Sequence, residues 1–222
     1  PLAMQHVHDP RSVPCGGARP AAAPRGAGPV LRALITATLV ACAALLATGA
    51  PAQEGLPNPQ VVIDTNYGSI TLRLYRDKAP ATVENFLAYV EDGFYDGTLF
   101  HRVIPNFMIQ GGGLTPDMQE KPTRGPIVNE SRNRLHNIRG TIAMARTGDP
   151  DSATAQFFIN QRSNLRLDWQ PGAPGYTVFG EVIDGLQVVD FIATSPTQQV
   201  GPHADVPVEP VLIRSIRRKS LL

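Results

Sequence analysis

The clearest periodicities in this chain begin at Val61. An apolar run, Val61-Val62-Ile63, leads through Asn66-Tyr67-Gly68 into strict alternation at Ile70, Leu72 and Leu74. A period of two puts those three side chains on one face and Thr71 and Arg73 on the other. Residues 61–75 are therefore predicted to form a β-hairpin turning over Asn66-Tyr67-Gly68. The period then changes. Val83, Phe86, Leu87 and Val90 fall at i, i+3, i+4 and i+7, one apolar stripe of a helix over about Pro80–Glu91. Pro80 suits the first turn, where its missing N–H is no loss, and Gly93 can end the helix. Glu84, Glu91 and Asp92 read as its solvated face. Short apolar or β-branched runs follow at 98–104, 107–110, 141–145, 156–160, 176–183 and 211–216, divided by glycine and proline. A second helix, about Leu186–Ala193, lies between the last two. No internal repeat is present. Many short strands with two helices predict an antiparallel β-barrel or sandwich with helices covering its ends.

Residues 1–52 show neither period. A polar stretch rich in Pro, Gly and Ala gives way to Arg25 and Arg32, an apolar run at 33–47, and the triplet Ala50-Pro51-Ala52. Positive flank, short apolar stretch and A-x-A site form the pattern of a secretory signal peptide. This predicts cleavage near Ala52, a linker at 53–60, a domain at 61–222, and a periplasmic or secreted location. The run has 15 residues, short of the roughly 20 needed to span a bilayer. Two alternatives stand beside this reading: an uncleaved membrane anchor, and a lipoprotein lipidated at Cys42 within Leu39-Val40-Ala41-Cys42. That box sits in mid-run, with apolar residues on both sides.

Removing the leader changes the charge and the redox picture. Its four arginines and one aspartate, taken from 20 basic and 19 acidic residues, leave 16 and 18, a formal charge near −2. A near-neutral domain gives no electrostatic reason to expect nucleic acid or anionic lipid as partner. Cys15 and Cys42 both lie in the leader, so the mature domain can use neither disulfides nor thiol chemistry. It must rely on a packed core, and a chain of this length can bury roughly 68–70% of its unfolded surface.

Two segments carry the chemistry. One is Phe100-His101-Arg102-Val103-Ile104-Pro105-Asn106-Phe107-Met108-Ile109-Gln110-Gly111-Gly112-Gly113. The other runs Gly140-Thr141-Ile142-Ala143-Met144-Ala145-Arg146, then Ser152-Ala153-Thr154-Ala155-Gln156-Phe157-Phe158-Ile159-Asn160. With Ala79-Pro80-Ala81-Thr82-Val83-Glu84-Asn85-Phe86 upstream and Val178-Phe179-Gly180-Glu181-Val182 downstream, the chain resembles the cyclophilins over 61–217. The resemblance implies an eight-stranded antiparallel barrel capped by two α-helices. It implies a peptidyl-prolyl cis-trans isomerase, monomeric and without cofactor or metal, acting on proline-containing polypeptides. By the same resemblance Arg102 is the cationic donor to the prolyl nitrogen, while Phe107, Met108, Phe158 and Leu167 form the proline pocket. Gln110 and Gln156 anchor the substrate backbone, Ala145-Arg146 is a strand along which substrate lies, and Tyr176 borders the site.

Read without the resemblance, these residues are plainer. Phe107, Met108, Phe158 and Leu167 fit a packed core, and Arg102 a surface charge. Gly111-Gly112-Gly113 is not a phosphate loop, since no Lys-Ser/Thr follows. His101, His136 and His203 lack ligand spacing. Turn length also matters. A two-residue turn at Pro105-Asn106 would pair Arg102 with Ile109 and Val103 with Met108, so that Arg102 and Met108 share a face only through a bulge or a wider loop. The chain also departs from many eukaryotic cyclophilins. Where those carry a cyclosporin-binding tryptophan it has Arg166, and where they carry a histidine before the Val-Phe-Gly strand it has Tyr176. Trp169 lies three residues beyond Arg166, where a surface-packed position is expected, and a loop shift would be needed for it to substitute.

Overall fold

A computed structural model describes residues 58–219. The leader at 1–52 and most of the linker lie outside the described residues. β1 (Gln60–Thr65) and β2 (Gly68–Leu74) form the expected hairpin, paired from Gln60↔Arg73 to Thr65↔Gly68. The turn is one residue tighter than expected, because Gly68, at φ 125°, already belongs to β2. Val61, Ile63, Ile70, Leu72 and Leu74 are fully buried.

Helix α1 spans Pro80–Glu91 and buries Val83, Phe86, Leu87 and Val90, as its period requires. Its N-cap, Ala79, has no capping side chain. Glu130 takes that role from 49 residues away, accepting bonds from Ala81 N (3.2 Å), Thr82 N (2.8 Å) and Thr82 Oγ1 (2.6 Å). A carboxylate there satisfies orphan N–H groups and meets the positive end of the helix dipole. Gly93, at φ 64°, follows the C-cap Asp92 in the left-handed conformation that ends many helices.

The remaining elements are β3 (Thr98–Leu99), β4 (Arg102–Ile104), β5 (Met108–Gly111), β6 (Thr141–Met144), β7 (Phe157–Asn160), β8 (Val178–Asp184), α2 (Leu186–Ala193), β9 (Thr197–Val200), β10 (His203–Pro207) and β11 (Leu212–Arg218). The main sheet has the order β3-β11-β1-β2-β8-β6-β7-β5-β4, and every pair is antiparallel. Its two end strands, β3 and β4, are consecutive in the chain and separated only by Phe100-His101. One bent segment thus joins both edges. Leu99 bridges the seam, its N–H donating to Leu114 O (2.9 Å) and its carbonyl accepting from Gly112 N (3.1 Å). Counted as one strand, β3–β4 makes the sheet the eight-stranded barrel expected.

β9 and β10 form a separate two-stranded ribbon that the sequence pattern did not announce. Thr197, Gln198 and Gln199 are exposed, so no apolar alternation marks the ribbon. Among the described residues no helix is long and apolar enough to cross a membrane.

Candidate active site

Strands β5, β6 and β7 are buried on both faces. Ile109, Ile142, Met144, Phe157 and Ile159 point into the barrel, and a second apolar cluster of Met108, Ala143, Phe158 and Val178 covers the outer face. Phe107, Leu135, Ala145, Leu167, Tyr176 and Ile104 pack around this second cluster, only partly buried. An apolar floor on the water side of a barrel is what a binding cleft needs.

The register explains how Arg102 reaches that floor. β4 and β5 pair Arg102↔Gln110, Val103↔Ile109 and Ile104↔Met108. The loop is therefore three residues, Pro105-Asn106-Phe107, and not two. Asn106 sits at φ 59°, a left-handed conformation tolerated by asparagine, and Phe107 N donates to Ile104 O (3.1 Å). This wider loop places Arg102, Ile104, Met108 and Gln110 on one face. Gln110 in turn pairs with Phe158, Phe158 with Ala143, and Ala143 with Val178. A transverse row, Arg102–Gln110–Phe158–Ala143–Val178, crosses the outer face.

Above this row lies a cleft of about 220 Å³ lined by Arg102, Phe107, Met108, Gln110, Ala145, Arg146, Phe158, Leu167 and Tyr176. Met108 and Phe158 are 2% and 4% exposed, making a nearly dry floor. Arg102 keeps 43% of its side chain exposed at the edge. Nine of the ten residues singled out from the sequence thus meet in one cleft. Gln156 does not line it. It accepts a bond from Gln110 Nε2 (3.1 Å) and faces a neighbouring cavity that shares Arg102 and Gln110 as its wall.

The far rim is held by hydrogen bonds. Phe107 O accepts from Gln161 N and from Asn164 Nδ2, both at 3.0 Å. Asn164 begins the 3-10 turn Leu165–Leu167, which carries Leu167 into the cleft. Asn160 Oδ1 accepts from Asn164 Nδ2 (2.7 Å), and Asn160 Nδ2 donates to Thr141 Oγ1 (3.0 Å). Asp168 closes the turn, accepting from Asn137 N (2.7 Å) and Asn137 Nδ2 (3.0 Å) and pairing with His136 Nδ1 (2.7 Å). Burial opposes the Asp168 charge, but the bonds from Asn137 and His136 prevail, and its pKa lies below the ordinary carboxylate value. These buried asparagines and Asp168 were not visible in the sequence, where polar residues near a Ser-Asn loop look like solvated connections.

Two arginines brace aromatic rings. Arg146 lies 4.5 Å over the Tyr176 ring and donates to Pro174 O (2.7 Å) and Thr147 O (2.9 Å), so it fixes the Tyr176 wall. Tyr176 meets Phe158 edge to face at 5.7 Å. Arg166 is exposed and stacks 4.9 Å over Phe107. Trp169 does not substitute for it: its ring faces Arg132 at 5.2 Å and lines a separate cavity with Pro150 and Asp151.

His101, beside Arg102, is 6% exposed, and its Nδ1 has no hydrogen-bond partner. Burial, with the nearby charges of His203 and Arg102, pushes its pKa from 6.5 down to about 4. Among the described residues no group of three His, Cys, Asp or Glu is placed to hold a metal ion.

Beside this barrel and its apolar cleft with a cation at the edge stand the likenesses to known proteins. The family described as cyclophilin type peptidyl-prolyl cis-trans isomerase/CLD matches residues 60–218. The chain is 54% identical over 168 residues to a peptidyl-prolyl cis-trans isomerase of Acinetobacter baylyi, covering 76% of this chain and 89% of that protein. It is 53% identical over 159 residues to peptidyl-prolyl cis-trans isomerase B of Escherichia coli, covering 70% and 97%. A crystal structure of a Cryptosporidium parvum cyclophilin type peptidyl-prolyl cis-trans isomerase superposes with TM-score 0.65 at 29% identity, covering 73% of this chain and 98% of that one. The chain belongs to the cyclophilin type peptidyl-prolyl cis-trans isomerase family. Its enzyme activity is that isomerisation.

Proposed function

We propose that the cleft is the catalytic site and that Arg102 donates a hydrogen bond to the prolyl nitrogen as the Xaa-Pro bond twists. Rotation about a peptide bond costs about 18–20 kcal/mol because it breaks amide resonance, and at proline it takes tens to hundreds of seconds unaided. In the twisted state the nitrogen becomes pyramidal and its lone pair can accept a hydrogen bond. The reaction needs a cationic donor at that nitrogen, a socket for the ring and anchors for the backbone. It needs no nucleophile, so no covalent intermediate forms. Phe107, Met108, Phe158 and Leu167 supply the socket. Gln110 and Gln156 supply the anchors, and Ala145-Arg146 and Tyr176 the adjoining wall.

The observation that carries this reading is the row in which Arg102 and Gln110 stand beside Phe158 on one face. A charge-assisted hydrogen bond contributes roughly 1.5–3 kcal/mol, whereas a rate gain of about 10⁵ needs about 7 kcal/mol. Binding of the ring that tightens at the transition state supplies the rest. The Cryptosporidium parvum relative has also been crystallised in the presence of the dipeptide Ala-Pro, a ligand of the size this socket admits. Arg102→Ala is expected to lower kcat/KM at least about tenfold with Tm nearly unchanged, and Arg102→Lys to restore part of it, since an ammonium lacks the planar fork of donors. Near-wild-type activity in Arg102→Ala would remove Arg102 from the mechanism.

The leader pattern supports a role outside the cytoplasmic membrane, where the enzyme would assist folding of exported proteins. In this reading residues 1–52 are removed, 53–60 form a linker, and 61–222 are the isomerase domain. Residues 53–222 expressed alone are then soluble, monomeric and active. Mass spectrometry of the mature protein distinguishes a free N-terminus at Gln53 from lipidated Cys42.

A further inference from the structure

The β9–β10 ribbon has no place in the barrel, yet β10 lies against β4, the strand that carries Arg102. The register of β10 with β9 shifts between His203 and Val206, and within that irregular stretch Asp205 adopts φ 59°. Few side chains accept a left-handed backbone, and aspartate is one of them. The irregularity turns Asp205 towards the site: its Oδ2 lies 3.6 Å from Arg102 Nε. Asp205 is the only ion-pair partner of Arg102 among the described residues. Both side chains remain partly exposed, at 43% for Arg102 and 40% for Asp205.

We propose that Asp205 is a positioning residue that holds the Nε edge of Arg102, leaving the two terminal guanidinium nitrogens to face the cleft. This rests on the assignment of Arg102 as the donor. A free arginine samples many rotamers, and each must be frozen out before it can bond a transient lone pair. A carboxylate fixed on a strained strand removes part of that search before the substrate arrives, which raises kcat and leaves ground-state binding alone. The separation exceeds hydrogen-bond length, so the hold is one of charge. Such an exposed pair contributes little to folding, and a stability role and a positioning role predict different results.

The test is a double-mutant cycle using Asp205→Asn and Asp205→Gly, both of which accept the left-handed backbone, each made alone and on Arg102→Ala. Line-shape NMR on an Ala-Pro peptide gives exchange rate and affinity separately, and thermal melts control for folding. Each single variant is expected to lower kcat about twofold to fivefold, with KM within about 1.5-fold and Tm within a few degrees. On Arg102→Ala neither should lower activity further. Wild-type kcat in either single variant overturns the proposal, as does an equal loss with and without Arg102, which would make the effect structural. Unchanged activity in Arg102→Ala itself refutes the donor assignment, and the positioning role falls with it. A tenfold loss there with wild-type Asp205 variants refutes the positioning role alone.

Discussion

His101 makes the stability of this domain depend on pH in a window where few other groups titrate. Its imidazole is buried and neutral in the folded protein, with a pKa near 4 against an ordinary 6.5. Between those values the unfolded chain binds a proton that the folded chain does not. Stability therefore rises with pH through the window and is lost as pH falls from 6.5 towards 4, at about 1.36 kcal/mol per pH unit. From pH 7 to pH 5 the loss from this one group is about 2 kcal/mol, a large part of the 5–15 kcal/mol typical of a domain. Below about pH 4 the term levels off. Urea unfolding of wild type and His101→Gln at pH 7, 6 and 5 isolates it, because all other groups are common to both. Whatever glutamine costs at neutral pH, the stability gap between the two proteins should narrow by about 2 kcal/mol on going to pH 5. Parallel stability curves, or an imidazole that titrates near 6.5 by NMR, would refute the reasoning.

Three further outcomes follow from the geometry. A Cβ at Gly113 would stand 2.4 Å from Gln156 Cγ, so Gly113→Ala should displace Gln156, break its bond to Gln110 and lower kcat/KM about fivefold, and full activity in the peptide assay would show that Gln156 is not an anchor. Asp168→Asn should cost about 1.5–3 kcal/mol in a urea melt at neutral pH, since it removes a carboxylate that holds two amide donors and His136; because its folded pKa is depressed, that difference should begin to shrink as pH falls to the ordinary carboxylate value and be lost only as pH falls through the lower folded value. Arg166 puts a solvated cation where many eukaryotic relatives have a tryptophan wall, and truncating a tryptophan hot spot commonly costs about 2 kcal/mol or more. Cyclosporin should therefore inhibit weakly and Arg166→Trp should tighten it more than it changes turnover, whereas nanomolar inhibition of the unmodified enzyme would contradict this.

What the sequence disclosed depended on how local each signal was. The bounds of α1 and α2 could be read directly, because an apolar stripe at helical spacing needs only its own twelve or eight residues. The β9–β10 ribbon could not, because Thr197, Gln198 and Gln199 face water and leave no period. Arg102 and the pocket residues were identifiable by resemblance, but their convergence turned on the backbone of Asn106, whose left-handed φ lengthens the loop by one residue. That single residue moves Arg102 from opposite Ile109 to opposite Gln110. The scaffold of Asn137, Asn160, Asn164 and Asp168 joins positions up to 31 apart in the chain, and no local pattern distinguishes a buried asparagine from one in a surface loop.

One physical signal of the site did stand in the sequence apart from any resemblance. A barrel strand with water on its outside should alternate, and β2 does: Ile70, Leu72 and Leu74 are fully buried while Ser69 and Arg73 are exposed. Thr141-Ile142-Ala143-Met144 and Phe157-Phe158-Ile159-Asn160 do not alternate, and all eight residues are buried. Continuous runs of this kind belong to strands covered on both faces, which in parallel sheets means helices on either side. This sheet is antiparallel and the buried apolar residues of both helices pack into the barrel-interior cluster, so the second apolar face has another use. Here it is covered by a rim of partly buried residues, Ile104, Phe107, Leu135, Ala145, Leu167 and Tyr176, and the cleft above Phe158 leaves room for a ring supplied by another polypeptide. The place where the alternation fails is the place where the barrel keeps an apolar face for its substrate.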